Sequence, residues 1–350
     1  MNLFTRLRNY FRLVAEDRDV GGTADFMKPL LNVLSFFYGG GVAFLRTLYE
    51  KGWLPRKRLP FPVISVGNLT WGGTGKTPLV EYLARRVVER NRNPLILSRG
   101  YSLDEVNQFK DHLPGVRIGV GKERYKVARG ISQSERVHVA ILDDGFQHWK
   151  IQRDIEIVSV NALNPFGNGR LIPRGVLREP KEALKRAAVI VLTHVNLVGA
   201  KELENLRAEL NHLAPAASLV EAFVEPLFFY RAGKRNRLSI EQLGNRRVAT
   251  FSALANPRSF QLLLARQGVK PVRNFEYSDH HVFTREELEE VRLISQQSEV
   301  DEIVTTEKDF FRSQKTITEI LNPLVLAARL RIASGEEILT DRMFHLLGVA

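Results

Sequence analysis

The tightest constraint on this chain is the run Gly67-Asn68-Leu69-Thr70-Trp71-Gly72-Gly73-Thr74-Gly75-Lys76-Thr77-Pro78. A β-branched stretch, Val63-Ile64-Ser65-Val66, precedes it and reads as a buried strand; Leu79 to Val88 follows with apolar residues at helical spacing. Strand, glycine-rich loop, helix is an arrangement with few structural solutions. Glycines allow backbone N–H groups to turn inward around phosphate oxygens, and the helix N-terminus adds a fixed partial positive charge. Gly72, Gly73, Thr74 and Gly75 then form the cradle, Lys76 reaches the β- and γ-phosphates of a nucleotide, and the Thr77 hydroxyl ligates Mg²⁺. Pro78 suits a first helical turn, where its missing N–H is not needed. Thr70 stands where the usual pattern has its first glycine, so Gly72 and Gly73 are expected to supply the flexibility. The competing reading is an ordinary glycine turn ahead of a helix.

Charge narrows the partner. With 51 Lys and Arg against 39 Asp and Glu, the chain carries a formal charge of +12, which implies a polyanion: nucleic acid, an anionic membrane surface or a phosphorylated substrate. There are 0 cysteines, so disulfides and thiolate metal sites are excluded. Leu3, Phe4, Leu7, Phe11 and Val14 recur at helical spacing among basic residues, as in an interfacial amphipathic helix. A more apolar piece, Leu30 to Leu45, follows. The 17 residues between Lys28 and Arg46 would extend roughly 25 Å as a helix, short of the roughly 30 Å hydrocarbon core, and the triplet Gly39-Gly40-Gly41 weakens one continuous helix. Peripheral membrane binding is the expectation, with a spanning helix and a helix packed on the core as alternatives.

Beyond the loop, apolar strands alternate with helices: Pro94 to Ser98, Val116 to Val120, Val137 to Leu142, Ile155 to Val160 and Ala187 to Thr193. Such alternation gives a parallel sheet covered on both faces, with ligands at the carboxyl ends of its strands. After residue 215 the style changes. Ser218 to Arg231 reads as extended and ends in the basic turn Ala232-Gly233-Lys234-Arg235-Asn236-Arg237, a hinge or linker. A second alternating series runs from Val248 to a strand at Leu324 to Ile332. The expected organisation is a membrane-associating helical segment over 1–58, a nucleotide-binding lobe over 59–215, hinge strands over 216–237, a second α/β lobe over 238–325, and a return strand with a C-terminal helix over 326–350, with a cleft between the lobes.

Asp143 and Asp144 end a hydrophobic strand downstream of the loop, where a carboxylate holds the Mg²⁺ hydration shell; the alternative is a plain Asp-Gly turn. Gln147 extends that turn toward the metal. In the basic loop Arg170 to Pro180, Arg178 suits a transferring phosphoryl group and Glu179 suits Mg²⁺, unless the loop is only a solvated surface.

Gly67-Asn68-Leu69-Thr70 leading to Gly75-Lys76-Thr77-Pro78, then Ser98-Arg99-Gly100-Tyr101, Asp143-Asp144-Gly145-Phe146-Gln147-His148, Leu177-Arg178-Glu179-Pro180 and Thr306-Glu307-Lys308-Asp309 together resemble the tetraacyldisaccharide 4′-kinases, the lipid A 4′-kinases of outer-membrane biosynthesis. Each motif alone is modestly specific; five in order are highly specific. The resemblance implies an α/β fold, with a P-loop NTPase-like parallel-sheet lobe and a smaller α/β second lobe joined by a β-stranded hinge behind the N-terminal helical segment. It implies attachment to the cytoplasmic face of the inner membrane, and transfer of the ATP γ-phosphate to a sugar 4′-hydroxyl of a lipid disaccharide 1-phosphate. The family's acid–base pair is an Asp from a Gly-Asp-Glu-Pro motif and a His from a Pro-Asp-His motif. Here the first resembles Leu103-Asp104-Glu105-Val106 and the second Ser278-Asp279-His280-His281, so Asp104 and His280 are the implied pair, with His281 one position away. Asn68, Arg99, Tyr101, Glu105 and Arg124 are implied substrate contacts. A monomer is expected. Two other classes share part of this pattern: a nucleotide-dependent switch that binds a partner protein at the membrane, and a nucleic-acid motor. The motor needs a strand-binding face of interleaved basic and aromatic residues, and none is visible, so no nucleic acid is expected.

Overall fold

The computed structural model describes residues 10, 13–15, 17, 21–100, 103–233, 236–244, 246–279 and 281–348. Leu3, Phe4, Leu7, Phe11, Tyr101 and His280 lie outside the described residues.

Both halves of the chain share one sheet. Its strands are β1 (Val63–Gly67), β2 (Pro94–Ser98), β3 (Arg117–Val120), β4 (Val139–Asp143), β5 (Ile155–Asn161), β6 (Val189–Thr193), β7 (Ser218–Arg231), β8 (Arg237–Leu238), β9 (Val248–Ser252), β10 (Pro271–Glu276), β11 (Glu302–Thr306) and β12 (Leu324–Ser334). The order is β10-β9-β11-β12-β7-β6-β5-β1-β4-β2-β3, with β8 on the side of β7. Pairing is parallel except at β7, which runs antiparallel to β8 and β12. β1, β2, β4 and β6 are buried along their whole length, which is why they read as unbroken apolar runs rather than as alternating ones. The two lobes are therefore joined by a long ladder rather than a flexible tether: β7 and β12 pair from Leu324 opposite Arg231 to Ser334 opposite Glu221.

Around and between the strands in chain order run the helices α1 (Gly22–Glu50), α2 (Lys76–Glu89), α3 (Leu103–His112), α4 (Arg124–Ser134), α5 (Ala200–Leu213), α6 (Pro257–Arg266), α7 (Arg285–Gln297), α8 (Glu307–Arg312), α9 (Gln314–Ile320) and α10 (Glu336–Leu346). Leu79, Val80, Leu83 and Val87 of α2 pack on Ile64, Ile96 and Ile141 of the sheet. The last helix returns to the first lobe, where Leu339, Met343 and Phe344 join that same core. The second lobe has its own core around Phe229, Val248, Phe260 and Leu264.

One expectation is corrected. The glycine triplet does not interrupt the N-terminal helix: α1 is continuous for 29 residues, roughly 43 Å, through Pro29 and Gly39 to Gly41. The reason is packing. A Cβ on Gly39 would come within 2.7 Å of the Leu171 side chain, so glycine lets the helix lie directly on the loop before β6. Ser35 Oγ sits 2.8 Å from the Leu171 carbonyl and accepts the Arg174 N–H, and the Tyr38 hydroxyl donates to the Arg178 carbonyl at 3.1 Å. The opposite face is apolar too. Phe26, Leu30, Val33, Phe37 and Phe44 recur along one side and are more than half exposed, Phe26 at 87%. By length and composition Asp25–Glu50 is long and apolar enough to cross a membrane.

Candidate functional site

The phosphate loop leaves β1 in the middle of the sheet and enters α2. Gly72 and Gly75 take the left-handed conformation, φ +84° and +79°, that a side chain at those positions would strain. The loop carbonyls are turned outward and held. Asn161 Nδ2 donates to the Gly73 carbonyl at 2.9 Å, and the Thr74 carbonyl accepts from Thr193 Oγ1 at 3.0 Å and from Ser159 Oγ. In planar trans peptides this aims the N–H groups of Thr74 and Gly75 the other way, into the cavity. Thr70 needs no glycine because it sits in an extended bridge to Leu177, with the Trp71 N–H donating to the Val176 carbonyl at 3.0 Å and the Arg178 N–H to the Leu69 carbonyl at 2.7 Å. Those bonds strap the basic loop along the phosphate loop, and so deliver Arg178.

The register of β1 and β4 places Val66 beside Asp143, so the two acids emerge next to the phosphate loop. Asp144, at φ +51°, turns back on itself. Lys76 Nζ lies 3.3 Å from its carboxylate, and Arg178 Nη1 lies 2.8 and 2.9 Å from the two oxygens. Arg124 Nη1 donates to the Asp144 carbonyl at 3.2 Å. Burial pushes Asp144 up, but Lys76 and Arg178 outweigh it and hold the carboxyl well below the usual range. Asp143 goes the other way: burial, joined by the charges of Glu105 and Asp144, pushes it up to about 7. Burial likewise raises Glu105, against Lys308 and Lys76. Glu105 Oε1 accepts from the Thr77 hydroxyl at 3.4 Å. Burial and two neighbouring acids disfavour a charged Asp143, and Glu105 beside the Thr77 hydroxyl is raised by burial too, so this group of oxygens is short of positive charge. Those oxygens fit a hard divalent cation such as Mg²⁺.

Two expected contacts, Glu179 and Asn68, lie off the cavity, whereas Gln147 lines it. Glu179 is fully buried with both oxygens taken by Arg186, at 2.8 and 3.0 Å, and it accepts from Gln147 Nε2 at 3.1 Å. Its carboxylate therefore orients Gln147 instead of facing the cavity. Gln147 also donates to the Asn68 carbonyl at 3.0 Å and receives Arg178 Nη1 at 3.4 Å. Asn68 is buried beneath the loop, donating to Thr74 Oγ1 at 3.1 Å, and shapes the cradle.

Asp104 and Glu105 start α3 and point to different neighbours. Glu105 faces the phosphate loop; Asp104 faces the second lobe, where Arg312 Nε donates to it at 3.0 Å and Nη2 approaches the same oxygen. Arg312 Nη1 also reaches Asp309 Oδ1 at 3.1 Å and the carbonyl of His281 at 3.3 Å. Arg312 thus links Asp104 to the backbone of His281 in the second lobe. His281 is already committed: Nε2 pairs with Glu287 Oε2 at 2.7 Å and its ring stacks on Tyr277 at 5.1 Å. Lys308 Nζ lies 3.4 Å from Asp279 Oδ1; burial lowers its pKa, but Asp279 and Glu105 outweigh it. Arg312 and Asp279 had no role in the sequence reading. The motif ending in Asp309 was the available signal, since Arg312 lies one helical turn beyond it.

Between the lobes lies a cavity of about 1340 Å³; Glu105 and Gln147 line it, while Asn68, Asp104, Glu179, His281 and Arg312 sit behind its wall. Lys76, Thr77, Asp143, Asp144, Arg99 and Arg124 line it from the first lobe, Asp279 and Lys308 from the second, and Tyr38, Leu45 and Tyr49 from α1.

The sequence profile described as tetraacyldisaccharide-1-P 4′-kinase matches residues 27–108 and 103–346. A protein named "Probable tetraacyldisaccharide 4′-kinase, mitochondrial" from Arabidopsis thaliana is 36% identical, covering 87% of this chain and 86% of its own. The tetraacyldisaccharide 4′-kinase of Anaeromyxobacter sp. (strain Fw109-5) is 34% identical, covering 93% of each. Among solved structures, LpxK from Aquifex aeolicus, crystallised in complex with ATP, superposes with a TM-score of 0.70 at 28% identity, over 92% of this chain and 99% of that one. A profile matched along nearly the whole chain, and relatives above one-third identity over most of both lengths, agree with the phosphate loop and paired lobes: this chain belongs to the tetraacyldisaccharide-1-P 4′-kinase family.

Proposed function

We propose that the chain transfers the γ-phosphate of ATP to the 4′-hydroxyl of a tetraacyldisaccharide 1-phosphate, acting as a monomer at the cytoplasmic face of the inner membrane. The observation that carries this reading is the seat of α1. Its Tyr38 hydroxyl bonds the Arg178 carbonyl, and Tyr38, Leu45 and Tyr49 line the same cavity as Lys76. An exposed apolar helix thus opens directly onto a phosphate-transfer site, which is what an acceptor with acyl chains at one end and a reacting sugar at the other requires. Phosphorylated acceptors and anionic lipids both suit the +12 charge.

In this reading the loop N–H groups and Lys76 hold the β- and γ-phosphates, and Arg178 meets charge that develops on the transferring group. Thr77, Asp143 and Asp144 would hold Mg²⁺, which when bound offsets charge on the phosphate oxygens. Arg99 and Arg124 present positive charge to a phosphate elsewhere on the acceptor. A sugar hydroxyl is a poor nucleophile, so Asp104 accepts its proton with His280 as orienting partner, and Arg312 keeps Asp104 in place. The test is transfer of ³²P from γ-labelled ATP, with Mg²⁺, to lipid disaccharide 1-phosphate in mixed micelles. Label appearing in lipid supports the reading. Label released only as inorganic phosphate, at a rate indifferent to lipid, would replace it with a nucleotide switch.

A further inference from the structure

His112 ends α3, the helix that starts with Asp104 and Glu105, and it sits between two acids from different lobes. Nδ1 lies 2.9 Å from Glu81 Oε2 on α2, and Nε2 lies 3.2 Å from Glu307 Oε1 at the start of α8. The side chains of His112, Glu81 and Glu307 are only 13%, 8% and 9% exposed. Phe311 meets the ring edge-on at 6.0 Å, and Arg85 of α2 donates to the His112 carbonyl at 2.9 Å. A neutral imidazole has one N–H and one lone pair, so against two carboxylates one contact would set acceptor against acceptor. Only the imidazolium, a donor at both nitrogens, satisfies both. The helix C-terminus favours that charge as well.

The placement gives the charge a task. α3 and α8 lie against each other in opposite directions, tied at one end by Asp104 to Arg312 and at the other by His112 to Glu307. Between these ties stand the residues that each lobe presents to the cavity, Glu105 and Lys308.

We propose that His112 is a positioning residue for phosphoryl transfer: a doubly protonated clamp that fixes the lobes in the arrangement that brings the Asp104 helix to the second lobe. Its catalytic consequence rests on the reading of Asp104 as the acid–base residue; the clamp itself does not. Burial pulls the His112 imidazolium toward neutrality, but its bonds to Glu307 and Glu81 prevail and push it up to about 10, so the clamp stays charged at neutral pH.

Two measurements decide it. In ¹⁵N spectra of the wild-type chain, both His112 nitrogens should be protonated at pH 8, and Glu307→Gln should bring the titration down toward the ordinary histidine range. A neutral imidazole at pH 8 overturns the clamp, whatever the variants do. The chain contains 0 cysteines, so spin labels on Val88→Cys and Leu293→Cys, both exposed, report the lobe separation. His112→Ala should broaden and lengthen that distance and lower kcat by roughly 100-fold, the scale of a misplacement of about 1 Å, with ATP Kd within about threefold. An unchanged distance distribution overturns the clamp. A changed distance with unchanged kcat overturns the positioning role. If Asp104→Ala itself keeps wild-type turnover, the acid–base reading fails, while the ¹⁵N and distance results still judge the clamp.

Discussion

Replacing Phe37 and Phe44 of α1 together by serine should detach the protein from membranes without disturbing its fold. The two rings lie on the outward stripe of the helix and are 69% and 65% exposed. A phenylalanine side chain offers roughly 150 to 250 Å², so about 130 Å² of each ring is free to enter lipid. At about 25 cal/mol per Å², full burial contributes ~3 kcal/mol per ring. A helix lying in the headgroup boundary submerges its outward face only part way, so about half of that, ~1.5 kcal/mol per ring, is the expected loss. Every 1.4 kcal/mol is tenfold in an equilibrium constant, and the pair should weaken partitioning by about 100-fold. Sedimentation with vesicles containing anionic phospholipid measures it, and a melting curve serves as control. The melting temperature should hardly move, since surface substitutions away from packed contacts usually stay within about 0.5 kcal/mol. If the double variant sediments as well as the wild type, the outward stripe is not the attachment surface and the reasoning fails.

Lys76→Ala should leave the melting temperature nearly unchanged and lower kcat by at least ~10² to 10³-fold, the usual effect of removing one donor to developing charge; a folded variant with near wild-type turnover contradicts the phosphate-loop assignment. Asp104→Ala and His280→Ala should each lower kcat by ~10² to 10⁴-fold, and the double variant by little more than either, because groups acting as a unit are not additive. His281→Ala, which loses Glu287 and the Tyr277 stack, should lower the melting temperature and leave kcat within about fivefold. The pH dependence of stability follows from His112, whose folded pKa of about 10 stands above the ordinary 6.5. Its contribution is fully present below 6.5, declines as pH rises and is gone above about 10. The wild-type melting temperature should therefore fall between pH 7 and 10.5 more steeply than that of His112→Gln, and parallel curves would refute the assignment.

The parts of the site that could be read from the chain are those written locally. A strand, a Gly-Lys-Thr loop and a helix occupy consecutive residues, and Asp143 follows directly on its apolar strand, so their chemistry is declared by neighbours in sequence. Glu179 shows where adjacency misleads: it sits beside Arg178, yet Arg186, at the far end of the short turn that follows, captures both its oxygens. Long-range pairings carry no local signal. Asp104 meets Arg312, and His112 meets Glu307, only because the β7–β12 ladder folds the second lobe back over α3. The continuity of α1 was hidden for a related reason. Glycine counts against a helix in isolation, and the partner that makes Gly39 useful, Leu171, lies far along the chain. Two lobes with a cleft were legible as alternating strands and helices; their fusion into one sheet was not, since strand order is set by packing rather than by sequence pattern.

The most direct measurement is the position of the phosphate on the product. Purified chain, ATP and Mg²⁺ should convert lipid disaccharide 1-phosphate into a bisphosphate whose new ³¹P resonance correlates with the proton on C4′ of the distal sugar, and Lys76→Ala should give none. A product phosphorylated at another carbon, or ATP consumption with no new lipid phosphate, would contradict the account.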